Sequence, residues 1–269
     1  LYWIGCWTSN ASLSIAFVAC LTELAPGLNA NPAYQILAAL AAMWTLTFVA
    51  IRGTRDSGMV QLLLTVLKLM PLALIIIFAV FAGKAENFPE MNPTGGDPIK
   101  LLSITALATM YAFLGLEIGA VPAGNLRDPK RTAPRAVVAG TITAAAVYIA
   151  STAAVMALVP GDLLAASKTP FADAARGLGQ WAPLIVTIGA LVSVAGALNG
   201  SIFVTGQIPM AAAVEGKVPA TFGRLNSRGA PWVSLIFSGV LATVLLLMNY
   251  SRGMLDAFNF VMTMATLAT

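Results

Sequence analysis

Residues 111–135 read YAFLGLEIGAVPAGNLRDPKRTAPR. The first half is apolar apart from one acid, Glu117, with Gly115 and Gly119 on either side and Pro122 and Gly124 beyond. The second half carries Arg127, Lys130, Arg131 and Arg135. Charge inside a bilayer is costly and usually functional. Lys and Arg collect in the connections on the cytoplasmic side. The stretch therefore reads as a membrane span that ends in a cytoplasmic loop. Glycine weakens a helix and proline removes a backbone donor. Unwound backbone at membrane depth is tolerated where it lines a cavity or is buried in protein, so a broken span is expected here. Such a break offers N–H groups at one half-helix and C=O groups at the other, which suits carboxylates and cations. A carboxyl group in that setting is suited to exchange a proton near physiological pH, or to stay charged opposite a cation. The plainer reading is a Gly-x-x-x-Gly helix contact with a structural, protonated glutamate.

The rest of the chain agrees with a span. Of 269 residues, 58% are hydrophobic and 10% charged, and the mean hydropathy is +0.84. A soluble domain carries roughly 25% charged residues. The fold class expected is all-α, a polytopic membrane helix bundle forming one transmembrane domain over residues 1–269. The net charge of +4 is assigned to membrane orientation, not to nucleic-acid binding. The chain has no histidine, which removes histidine-ligated haem, histidine metal sites and histidine acid/base chemistry. The two cysteines, Cys6 and Cys20, stand about 21 Å apart along one helix. A disulfide needs Cα atoms within about 7 Å, so they do not pair with each other. No enzyme activity, cofactor or metal is expected.

A spanning helix needs about 20 mostly apolar residues. Seven stretches qualify, near 1–25, 33–51, 58–83, 101–123, 134–160, 182–213 and 231–249, and an eighth begins near 254. Both ends of the sequence are apolar and read as cuts inside helices. Proline, glycine and asparagine mark the breaks, as in Pro26-Gly27, Arg52-Gly53 and Pro160-Gly161. The connections 52–56, 127–135 and 215–228 hold nine Lys and Arg, and the alternate connections hold four. This alternation places the basic connections, and residue 1, on the cytoplasmic side.

Lys68 is the second ionisable residue within a span. It lies ten residues past Gly58, about 15 Å along a helix, too deep for its side chain to reach the interface easily. A buried lysine is suited to act as a proton-linked switch or as a fixed cation in place of a metal ion. Pro71 is expected to loosen the helix nearby. Asn10 lies in YWIGCWTSNASLS, where Ser, Thr and Asn either line a path or bond across helices. Gly189, Ser193, Gly196 and Gly200 form a small-residue stripe that reads as close helix packing. Asn199 and Ser201 are weaker ligand candidates.

With these residues in place, the chain resembles the amino acid–polyamine–organocation superfamily. FLGLEIGAVPAGNLRDPKRTAPRA is similar to that family's sixth-span signature, with Phe113, Gly115, Glu117, Asp128, Pro129, Arg131, Pro134, Arg135 and Ala136 in the matching places. LYWIGCWTSN, TPFADAARGLG and GQIPMAAAVEGKVP extend the likeness to the basic amino acid/polyamine antiporters, among them the arginine/agmatine exchanger. The resemblance implies a fragment of an inverted-repeat fold of five plus five helices, running from span 3 to early span 10, with span 6 broken. It implies substrate contacts at Asn10, Tyr111, Ala112, Leu114, Gly115, Glu117 and Ser201, and proton coupling at Glu117 and Lys68. Tyr111 stands where the exchanger has a gating tryptophan, and Ser201 where it has another. Lys68 is instead similar to a fifth-span lysine of proton-coupled permeases.

The function expected is secondary active transport of amino acids or related amines by alternating access, linked to protons. The setting is a multi-pass protein of a bacterial inner membrane, with lipid around it and a homodimer as a possible assembly. The alternatives are an exchanger without proton coupling and a non-transporting sensor or subunit. A channel would lack saturation and counter-substrate stimulation.

Overall fold

The computed structural model describes residues 2–88, 95–111, 128–167 and 170–249. All regular structure among them is helical. The long helices are α1 (Tyr2–Leu24), α2 (Pro32–Arg52), α3 (Thr54–Ala82), α4 (Pro98–Tyr111) and α5 (Pro129–Leu158). Two short helices follow, α6 (Gly161–Ala166) and α7 (Pro170–Ala175), and then α8 (Ala182–Val214) and α9 (Trp232–Asn249). Five helices are long and apolar enough to cross a membrane, and α9 is a shorter apolar one. The expected spans near 1–25, 33–51, 58–83, 134–160 and 182–213 correspond to those five, the stretch near 231–249 corresponds to α9, and of the stretch near 101–123 only the part up to Tyr111, in α4, lies within the described residues. The break expected in span 6 falls on residues 112–127, outside the described residues.

Local chemistry sets the helix ends. Asn31 caps α2: its Oδ1 accepts the Ala33 N–H at 2.9 Å, and Pro32 occupies the first helical position. The Asp97 carboxylate accepts the Ile99 N–H at 2.9 Å at the start of α4. Helices α3 and α5 start earlier than hydropathy places them, at Thr54 and Pro129. Hydropathy finds where charge stops; the backbone ladder continues through Arg55 and Asp56 and through Lys130 and Arg131. Pro71 and Pro134 lie inside helices that run on past them. The link between α2 and α3 is one residue, Gly53, at φ +150°. Side chains other than hydrogen rarely allow that backbone.

Two compact units form, one from Leu1–Leu69 with Thr187–Thr269, the other from Met70–Val186. In the first, α1, α2 and α9 pack on one another, and with α8 they bury Ala11, Ile15, Met43, Leu198, Ile202, Leu235 and Leu246. Trp44 lies over Gly239, where an added Cβ would meet its ring at 3.3 Å, and its Nε1 donates to Thr243 Oγ1 at 3.1 Å. Trp3 Nε1 donates to Ser238 Oγ at 3.0 Å. The second unit packs Ile75 of α3 with Ala154 and Val155 of α5 and Ala174 and Ala175 of α7. The segment 161–178, expected as a loop, thus holds two short helices. Alanines 174 and 175 are buried, and that burial folds the segment onto the unit.

The units order the connections by charge. In the first, the Asn226 Nδ2 donates to the Ile51 carbonyl, and Arg228 Nη1 lies 3.9 Å from Asp56 Oδ2. Two of the expected cytoplasmic connections therefore meet at one end. In the second, Lys84 N–H and Asn87 Nδ2 both donate to the Ala157 carbonyl, at 2.9 and 2.8 Å. Two of the connections poor in basic residues meet there.

Candidate functional site

The first unit is unusual in what it buries. Thr8, Asn10, Ser12, Ser14, Asn199, Ser201, Thr205 and Gln207 are all buried, whereas Phe48, Leu62, Phe237 and Met248 are exposed. A soluble protein arranges these residues the other way round. In lipid the apolar residues lose nothing by facing outward, and polar side chains gain by bonding between helices.

Two polar seams run along α8. On the α1 side, Asn10 is 3% exposed and its Nδ2 donates to Thr205 Oγ1 at 3.2 Å. The Thr205 hydroxyl in turn donates to the Ser201 carbonyl at 2.6 Å, and Ser14 Oγ donates to the Asn10 carbonyl at 2.7 Å. Asn10 Oδ1 is buried and meets no donor among the described residues. Buried carbonyl groups are nearly always hydrogen-bonded, and this one is an exception, as is the buried Ser12 Oγ. Trp7 Nε1, one helical turn before Asn10, is likewise buried without an acceptor.

On the α3 side, Asn199 is 1% exposed. Its Nδ2 donates to Gln61 Oε1 at 2.8 Å and to the Ser57 carbonyl at 3.2 Å, and Ser57 Oγ donates to Asn199 Oδ1 at 3.5 Å. The small-residue stripe makes this approach possible. A Cβ added at Gly196 would stand 3.3 Å from Leu64 Cβ, and one at Gly200 would stand 3.5 Å from Gln61 Oε1. The packing reading of Gly196 and Gly200 thus holds. Asn199 proves to be a helix bridge with its amide fully engaged.

Ser57, Gln61, Leu64 and Lys68 follow one another at steps of four, three and four, so they share a face of α3. Lys68 is half-buried and forms no ion pair among the described residues. The structure joins Asn10 to Ser201 through Thr205. Thr205 was missed in the sequence; its only signal was a hydroxyl four residues beyond Ser201 on an apolar helix. Tyr111 ends α4 as described, and nothing of its side chain is described. Ala112, Leu114, Gly115 and Glu117 lie outside the described residues. Neither Cys6 nor Cys20 forms a disulfide. No group of three or more acids or cysteines able to hold a metal forms among the described residues.

A cleft of about 520 Å³ lies in the second unit, lined by Leu158, Pro160, Leu163, Ser167, Asp173 and Arg176 among others. Its polar groups are engaged with one another: Asp173 accepts from Ser167 Oγ and from Arg176 Nε.

A family profile described as amino acid permease matches residues 1–269. A cadaverine/lysine antiporter of Escherichia coli (strain K12) is 32% identical over 279 residues, covering 100% of this chain and 62% of that protein. A putative arginine/ornithine antiporter of the same strain is 26% identical over 277 residues, covering 98% of this chain and 59% of the relative. The chain thus spans about three fifths of the length of these relatives. The apolar helices and this match make it a multi-pass integral membrane protein. Because the profile matches the whole sequence and not one apolar stretch of it, the chain belongs to the amino acid permease family.

Proposed function

We infer that this chain is part of a secondary transporter that moves a cationic amino acid or diamine across a bacterial inner membrane by alternating access, with proton coupling. The observation that carries this reading is Asn10 Oδ1, an acceptor buried in the α1–α8 seam with no donor among the described residues. An ammonium or guanidinium group, which carries several N–H donors and no acceptor, supplies such a donor. The relatives, described as cadaverine/lysine and arginine/ornithine antiporters, support this class of cargo.

Each residue has a role in this reading. Asn10 and the neighbourhood of Ser201 receive the cationic end of the substrate. The span-6 backbone at Ala112, Leu114 and Gly115 receives the other end, and Tyr111 closes over it. Glu117 takes up and releases the proton. Lys68, on the α3 face that follows the Ser57–Gln61–Asn199 bridge, carries a compensating charge that no described carboxylate neutralises. The basic connections 52–56 and 215–228 face the cytoplasm.

The test uses the full-length protein in proteoliposomes, with labelled lysine and cadaverine at two pH values. Saturable uptake, stimulated by unlabelled amine inside, is expected. Glu117→Gln should remove the pH dependence of uptake, and Lys68→Ala should give a monodisperse, inactive protein. Flux that never saturates would make the protein a channel. Amine binding without flux would make it a sensor. Uptake that keeps its full pH response in Glu117→Gln would remove that residue from coupling.

A further inference from the structure

We propose that the α2–α3 corner is a binding site for one anionic phospholipid, whose phosphate sits among Arg52, Arg55 and Arg228 and whose acyl chains lie along Phe48, Met59 and Leu62. Helix α2 has 21 residues, about 31 Å at helical rise, which matches a hydrocarbon core of about 30 Å. Arg52 is its last residue and so stands at headgroup level. Gly53 alone joins it to α3, and its backbone turn keeps Arg52 and Arg55 within one corner. Arg228 is brought to the same corner from the α8–α9 connection. A Cβ added at Gly53 would meet the Arg228 Cβ at 3.3 Å, and Asn226 ties this connection to the Ile51 carbonyl.

Arg52, Arg55 and Arg228 therefore stand at this corner, where the carboxylate among the described residues is Asp56, 3.9 Å from Arg228 Nη1. Arg52 and Arg55 are exposed and have no ion pair among the described residues. Guanidinium groups fit phosphate oxygens with paired hydrogen bonds. The apolar half of the site lies directly below. Phe48 is one turn from Arg52, and Met59 and Leu62 are one and two turns from Arg55. They are 61%, 63% and 66% exposed. A soluble anion satisfies only the charged half, whereas a phospholipid satisfies both. This site is separate from the transport pathway inferred above and does not depend on it.

The test measures lipid retained by the full-length protein after purification in detergent with phosphatidylglycerol or phosphatidylcholine, read by native mass spectrometry and by melting temperature. Phosphatidylglycerol should be retained and should raise the melting temperature; phosphatidylcholine should do neither. The double variant Arg52→Gln, Arg55→Gln should retain about 25-fold less phosphatidylglycerol, a factor of about five for each basic residue removed near an anionic lipid. Both side chains are exposed, so the variant should fold, and Arg52→Lys, Arg55→Lys should restore part of the retention. Lys217→Gln removes a charge from the α8–α9 connection at a lysine paired with Glu215 instead of one placed at the corner, and should retain as much as the unaltered protein. Equal retention by the double variant, equal loss in Lys217→Gln, or an equal melting shift from glycerol phosphate alone would each overturn the proposal.

Discussion

Replacing Asn10 by leucine should separate stability from function. The two side chains share branching and heavy-atom count and leucine is the bulkier, so no cavity is left and the extra volume works against the variant in this buried seam. The replacement loses the Nδ2 bond to Thr205, and interhelical bonds of this kind contribute about 0.6 kcal/mol on average in membrane bundles, with a maximum of about 1.7. Thr205 stays engaged as a donor, because its hydroxyl already bonds the Ser201 carbonyl. Against that loss, the replacement removes a buried acceptor without a donor, a defect that costs about 1–3 kcal/mol. Before the cost of leucine's extra volume, the net expectation runs from about 1 kcal/mol less stable to about 2 kcal/mol more stable than the original. That gain corresponds to a rise of several degrees in melting temperature for a chain of this size. Substrate binding should move the other way. A hydrogen bond to a charged donor contributes about 1.5–3 kcal/mol, so the apparent affinity for amine should fall about ten- to hundredfold. Thermal melts in detergent with and without lysine or cadaverine, beside counterflow in proteoliposomes, read both effects. A marked drop in melting temperature would show that Oδ1 is already satisfied within the protein. Unchanged amine affinity would show that the acceptor does not face the substrate. Either result refutes the reasoning.

Asn226 accepts the Arg228 and Ala230 N–H groups at 3.0 and 2.9 Å and donates to the Ile51 carbonyl. Asn226→Ala should cost about 2–4 kcal/mol, since Ala230 is fully buried and its N–H would lose its partner; Asn226→Asp keeps the accepted bonds and should cost less, as melting temperatures will show. A Cβ at Gly206 would stand 2.6 Å from Leu235 Cδ2, so Gly206→Ala should cost about 1–3 kcal/mol through overpacking. Gly140, within α5, has nothing within 4 Å of such a Cβ, and Gly140→Ala should be neutral or stabilising by about 0.5–1 kcal/mol in the same melts. The Lys217 ammonium, hydrogen-bonded to Glu215, holds that carboxyl below its usual range. The contribution of a lowered carboxyl is present above its unfolded value, near pH 4.3, and is lost as pH falls through the folded value. In Lys217→Gln, the Glu215 carboxyl followed by NMR should return toward the ordinary range, with the melting temperature unchanged because both groups are exposed.

Five membrane-length apolar helices were legible in the sequence, because transfer of an apolar stretch into lipid depends on composition and hardly at all on neighbours. Helix starts were less legible. Asp97 and Asn31 announce theirs by capping, but Thr54 and Pro129 begin helices inside charged stretches, where hydropathy gives no signal. The short helices α6 and α7 were missed because their stability comes from burying Ala174 and Ala175 on unit partners distant in sequence. Of the candidate site, Asn10 and Ser201 were visible as polar residues on apolar helices, and Thr205 and Gln61 were not distinguished from the other polar residues around them.

The sequence by itself determined that this chain lives in a bilayer, where each helix satisfies its own backbone, and which connections carry the positive charge. Tertiary structure alone decided which polar groups are paired and which, among the described residues, are left over. Asn10 and Asn199 are the same residue type on similar apolar helices. Asn199 has its amide engaged by Ser57 and Gln61, and Asn10 keeps a carbonyl oxygen without a donor among the described residues. That difference depends on what the facing helix presents at hydrogen-bond distance, which is a property of the packed bundle and of no single segment.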